Sequence, residues 1–156
     1  MTGVFLSASE GSRSLALRAL SRDGDVLTVE AIAADGDRRW RLAGPLLHLD
    51  EAAELGAWLA GLPGDLTLGA DEWTTLTFAS PALSFAGRRV PGGVVELRVS
   101  VLGMAAAGAA PPETGAQQPG ASGPHTTDVV LGLDLPAPVV ERAAVAFVSE
   151  TAALRP

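Results

Sequence analysis

Residues 73–101 read WTTLTFASPALSFAGRRVPGGVVELRVSV, and this stretch constrains the fold more than any other. Its last run, Val94–Leu102, alternates without a break. Val95, Leu97, Val99 and Val101 fall on one side, and Glu96, Arg98 and Ser100 on the other. Successive side chains of a strand point to opposite faces, so this strand has one face to bury and one for water. That is the pattern of an antiparallel sheet covered on one side only. Thr74–Ala79 and Ala82–Gly87 read as two further strands meeting at a Ser80-Pro81 corner, and Arg88–Gly93 ends in the turn residues Pro91-Gly92-Gly93.

The first third of the chain repeats the theme. Leu15, Leu17 and Ala19 alternate with Ala16, Arg18 and Leu20; Leu27, Val29, Ala31 and Ala33 alternate with Thr28, Glu30 and Ile32. Asp23-Gly24-Asp25 and Asp35-Gly36-Asp37 punctuate these runs, and glycine there supplies the positive φ that tight hairpins require. A third strand, Arg38–Leu42, turns Trp40 and Leu42 inward and Arg39 and Arg41 to water. Leu66–Leu68 adds a short strand later on. Asp50 is the expected N-cap of a helix Asp50–Leu62, whose Leu55, Trp58, Leu59 and Leu62 recur at helical spacing before Pro63-Gly64 stops it. After a strand over Asp128–Leu135, Pro138 opens a closing helix to about Leu154, with Val140, Ala144, Phe147, Thr151 and Leu154 on its buried stripe.

At 156 residues the chain is read as a single domain, residues 1–156, with one core. Apolar residues make up 47% but aromatics only 4%, so Leu, Val and Ala build that core. Phe5, Trp40, Trp58, Trp73, Phe78, Phe85 and Phe147 are its few large pieces. Between Gly103 and Thr127 the chain is rich in Ala, Gly and Pro and nearly free of large apolar groups. Such a segment cannot bury enough surface to offset the entropy of ordering it, so it is expected to be a disordered loop between two strands.

The composition also restricts the chemistry. Cysteine is absent, which removes disulfides, thiolate metal sites and cysteine nucleophiles together. Lys, Asn and Tyr are absent too and Ile32 is the sole isoleucine, the bias of a high-GC bacterial genome. A net charge of −7 opposes nucleic acid and anionic membranes and suits a basic protein partner. No apolar run approaches the roughly 20 residues that span a bilayer, and Met1–Glu10 lacks the basic start of a secretory signal, so the expected compartment is the cytoplasm.

No catalytic residue, metal site or cofactor is expected. There is no G-x-S-x-G elbow, no phosphate-binding loop and no G-x-G-x-x-G. His48 lies in an apolar run before a helix and reads as a structural group at the helix entry; His125 lies in the Ala/Pro-rich loop. Asp71-Glu72 cannot chelate a cation alone, because neighbours on a strand face opposite ways. The binding candidates are Glu72, Trp73, Glu96 and Asp134. Trp73 reads as core, and would be an interface anchor if it projected from a strand edge.

The order of elements, together with Thr77-Phe78-Ala79-Ser80-Pro81-Ala82-Leu83-Ser84-Phe85, the strand Val94–Val101, and Leu131-Gly132-Leu133-Asp134-Leu135 leading into a final helix, resembles the WapI-type bacterial immunity proteins over about residues 40–156. The resemblance implies a small binding protein that neutralises the effector domain of a secreted toxin inside the producing cell. The residues themselves predict an α+β fold, a curved antiparallel sheet of about seven or eight strands packed against two helices. Two other classes stay open. One is a small enzyme using Glu72, Glu96 and Asp134, with Glu30 behind them, on the concave sheet face. The other is a structural or assembly subunit.

Overall fold

The computed structural model describes residues 4–8, 10–64, 72–106 and 126–154. Among the described residues, eight strands and two helices follow one another as β1 (Val4–Ser7), β2 (Arg13–Asp23), β3 (Val26–Asp35), β4 (Arg38–His48), α1 (Leu49–Gly61), β5 (Thr74–Thr77), β6 (Leu83–Val90), β7 (Val94–Ala106), β8 (Thr126–Pro136) and α2 (Ala137–Ala153). The fold is α+β, and all strand pairings are antiparallel. Gly24 and Gly36, at φ 58° and 60°, take the first position of the two-residue loops of the β2–β3–β4 meander. Positive φ at that position matches loop twist to strand twist.

The sheet runs β1-β2-β3-β4-β7-β6-β5, with β8 on the other edge of β7. β7 is the hinge of this arrangement. Its first part pairs with β6 through Val94–Val101, and its far end pairs with β4 through Trp40↔Ala106 and Arg41↔Ala105. β8 lies against β1 and β2, so the sheet curls into a half-barrel. Arg13 on β2 donates from Nη1 to the Gly132 carbonyl on β8 at 3.2 Å across that seam.

Three register shifts sharpen the curl, as extra residues in one strand do. One places Leu20 between paired Ala19 and Ser21. A second makes Leu46 the extra residue of β4, which is how adjacent Leu46 and Leu47 are both buried. The third lies at Leu102-Gly103 of β7, where Gly103 has φ 71° and its N–H donates to Asp128 Oδ1 at 3.1 Å.

The third shift explains one departure from the sequence reading. The alternation breaks at Leu102, yet the strand resumes beyond the bulge to Ala106, and β8 begins at Thr126. The ends of the segment Gly103–Thr127 are therefore paired strand. Residues 107–125 lie outside the described residues, as do the expected strand Leu66–Leu68, Asp71 and His125. β4 likewise runs six residues past Leu42, to His48, and β1 is a strand the alternation analysis did not name.

The core is continuous from the sheet into both helices. On α1, Ala52, Leu55, Gly56 and Leu59 are buried, with Leu62 just beyond. Gly87 on β6 lets α1 come close, since a Cβ there would stand 3.0 Å from Leu62 and 3.1 Å from Trp58. Trp58 and Phe78 pack on Phe85 with ring centroids 6.2 and 6.1 Å away. On α2, Val140, Ala143, Ala144, Phe147 and Thr151 are buried as the stripe predicts. Phe5 corrects the expected core. It is 60% exposed, because its neighbour Leu6 takes the inward position on β1. Trp40 and Leu42 pack against the core from partial burial, with Arg39 and Arg41 outside.

The N-cap of α1 is His48, not Asp50, since β4 runs up to the helix. Glu51 Oε2 accepts the His48 backbone N–H at 2.8 Å, half of a capping box. Its other oxygen accepts the Ala79 N–H at 2.6 Å, tying the helix start to the corner before β6. No helix among the described residues is long and apolar enough to cross a membrane.

Candidate binding surfaces

The inward side chains of β6, β7 and β8 feed the core, so their alternate residues form an outer face. The three-residue turn Pro91-Gly92-Gly93 pairs Val90 with Val94, and counting back from it places Arg88 opposite Glu96. Glu96 in turn stands opposite Asp134 on β8. The result is a row of charged residues, Arg88–Glu96–Asp134, across three strands, opposite in sign between Arg88 and Glu96 and alike between Glu96 and Asp134. Opposite charges paired across strands stabilise a sheet modestly.

Glu96 is held from two sides. Arg88 donates to its Oε2 from Nε and Nη2 at 2.6 Å each, and Arg98 Nη2 lies 3.9 Å from its Oε1. Trp73, just before β5, completes the group. The guanidinium carbons of Arg88 and Arg98 lie 4.9 and 4.3 Å from its ring centroid, within cation–π range. Trp73 therefore belongs to this polar outer face, not to the core where the sequence reading put it. It escapes inward burial because it is out of phase with Thr74, whose Oγ1 accepts the Trp58 Nε1–H at 3.4 Å on the helix side. Glu72 is exposed beside it.

Three of the four candidates, Trp73, Glu96 and Asp134, thus come together, though not on a concave face. The concave side is filled by the apolar core and closed by α1 and α2. Glu30 is also on the outer face but on β3, away from the others in the sheet order. It is 5% exposed and sits between Arg41 Nε at 2.5 Å and Arg18 Nη1 at 3.7 Å. These carboxylates do not converge on one pocket, and Glu96 and Glu30 each have arginine partners. Sequence reasoning missed Arg88 and Arg98 as partners of Trp73. The turn register was the signal that could have found them.

His48, Asp25, Leu49, Asp50, Glu51 and Ala79 line an open hollow of about 540 Å³ at the start of α1. In this corner the Leu49 N–H donates to the Asp25 carbonyl at 2.9 Å, and the Glu51 N–H to Asp50 Oδ1 at 3.0 Å. Among the described residues no three His, Asp or Glu side chains are grouped as a metal ion would need.

Compared with known families, the sequence matches the model of the immunity protein WapI-like family over residues 6–134. The chain belongs to that family. The match reaches further toward the N-terminus than the resemblance in residues 40–156, taking in β2–β4 and part of β1, and it ends before α2. No curated protein and no solved structure matches the chain. An immunity family sets the coarse expectation of a bacterial protein whose role is protective and whose partner is a protein toxin.

Proposed function

We propose that this WapI-like immunity protein works by contact alone, binding the effector domain of a toxin in the cytoplasm of the cell that makes it. Family membership carries the reading. The geometry is compatible with it. The side of the sheet that could form a cleft is packed solid, and on the outer face Glu30 and Glu96 lie on separate strands, each paired with arginine. A net charge of −7 favours a basic effector domain. Opposite charge on the two partners accelerates encounter, and salt screens that gain over about 8–10 Å near physiological ionic strength.

The test is co-expression with the toxin domain encoded beside this gene. Cells should survive, the two chains should co-purify, and the association rate should fall as salt rises. Glu72→Gln, Glu96→Gln and Asp134→Asn should leave the fold intact and at most weaken the complex. Turnover of a small molecule by the purified chain, abolished by those three amide changes, would replace this reading with an enzymatic one.

A further inference from the structure

The two helices close the core on one side and face solvent on the other. That outer side is apolar where they meet. Ala53, Gly56, Ala57 and Ala60 of α1 and Val145 and Val148 of α2 line a groove of about 370 Å³. Val145 is 67% and Val148 46% exposed, among the most exposed large apolar side chains described. The floor is low because Gly56 has no Cβ and Val148 packs into that space. Val148 thus sits close against α1, and it and Val145 form one wall of the groove, facing the exposed Ala53, Ala57 and Ala60. Exposed apolar surface of this shape, with polar residues around it, marks interaction sites.

The charges around the groove select the occupant. Asp50 and Glu54 flank it on α1, both exposed. Glu141 is exposed and shares the 3.6-residue stripe of Val145, Val148 and Ala152 on α2. Arg142 is the sole cation on either helix, against Asp50, Glu51, Glu54, Glu141 and Glu150. The sheet is different. From Val4 to His48, six arginines balance six carboxylates. The acidity of the described residues is thus concentrated on the helix layer.

We infer that the α1–α2 groove is where this protein docks its partner, and that it takes a basic amphipathic segment, small apolar side chains inward and Arg or Lys along the rim. This rests on the toxin-binding reading and names the face and chemistry of the contact. An amphipathic helix laid into an apolar groove is a recurrent mode of recognition. A second copy of the chain would set one acidic helix layer against another, and an anionic lipid surface or nucleic acid would meet the same repulsion.

The experiment uses the full chain and the catalytically inactivated toxin domain encoded beside it, with affinity measured by calorimetry and folding by melting temperature. Ala57→Arg with Val145→Glu fills and charges the groove at exposed positions, and should weaken binding at least 100-fold with little change in melting. Val130→Glu, on the outer face of β8, should bind within threefold of wild type. The rim pair Glu54→Arg with Glu141→Arg alters no buried side chain, so it tests the idea even if the first variant folds poorly. It should cost about tenfold and slow association at low salt. Wild-type affinity in either groove or rim variant overturns the docking site while leaving the toxin-binding reading standing. Failure of the wild-type chain itself to bind the toxin domain sinks both. A wild-type dimer in sedimentation that becomes a monomer with Ala57→Arg/Val145→Glu would assign the groove to a second copy and overturn the proposal.

Discussion

Phe147 is fully buried in the middle of α2, where that helix meets β1, β2, β7, β8 and α1. Replacing it with alanine removes the largest apolar side chain that α2 contributes. A buried Phe withdraws ~150–250 Å² from water, which at ~25 cal/mol per Å² is an upper bound of about 4–6 kcal/mol. Alanine keeps part of that area, and the void it leaves adds a cavity term because the surroundings relax incompletely. The expected loss is about 3–5 kcal/mol. Against a typical total of about 5–15 kcal/mol, that is a large share. For a chain of this length each kcal/mol lowers the melting temperature by roughly 2–4 °C, so a fall of about 6–20 °C should appear. Urea titration followed by tryptophan fluorescence and by far-ultraviolet circular dichroism gives the free energy directly. Val145→Ala, two residues earlier on the exposed face of the same helix, is the internal control and should change stability by no more than about 0.5 kcal/mol. A loss below about 1 kcal/mol for Phe147→Ala, the size expected of a surface site, would refute the view that α2 is part of the core.

Other outcomes follow from local features. Gly56→Ala should not bring the ~1 kcal/mol that the exchange gives in an open helix, because its Cβ meets Val148; a net loss of about 1 kcal/mol is expected, and Val148→Ala should restore the gain. Burial pushes the Glu150 carboxyl above its usual 4.5, with the Ala19 backbone N–H and the Arg18 charge pulling the other way, and its Oε2 is buried with no hydrogen-bond partner. The folded state therefore favours the protonated form, so this group's contribution is greatest in acid and declines as pH rises through its folded-state value. Glu150→Gln should melt higher than wild type at pH 7, with the gap closing toward pH 4; equal gaps at both pH values would count against the assignment. Ala105 pairs with Thr126, so a short Gly/Ser turn can join Ala106 to Thr126 in place of residues 107–125. Closure entropy varies slowly with loop length, and a denaturant titration should show a change of less than about 2 kcal/mol.

Much of this protein is written locally. Period-two alternation in Leu15–Leu20, Leu27–Ala33 and Val94–Val101 specifies strands and their buried faces, because side-chain direction follows from the backbone of each strand alone. The spacing of Val140, Ala144, Phe147 and Thr151 does the same for α2, and Asp-Gly steps mark the hairpins because only particular residues accept the turn geometry. The resemblance to the WapI-like family was legible in Thr77–Phe85, Val94–Val101 and the strand that holds Leu131–Leu135. Other features depend on partners distant in sequence. Which neighbour of a strand pair goes inward could not be read for Phe5 and Leu6, since both are apolar and only docking of β1 on β2 decides. Leu102-Gly103 read as a strand end because a bulge breaks alternation just as a loop does, and only pairing with β8 shows the strand resuming. Trp73 was placed in the core by its apolar bulk, but its phase on the sheet set it over Arg88 and Arg98. The α1–α2 groove had no sequence signal at all. Ala53, Ala57, Val145 and Val148 are ordinary helix residues until the curl of the sheet brings two helices side by side, and closure of that curl is a property of the whole chain.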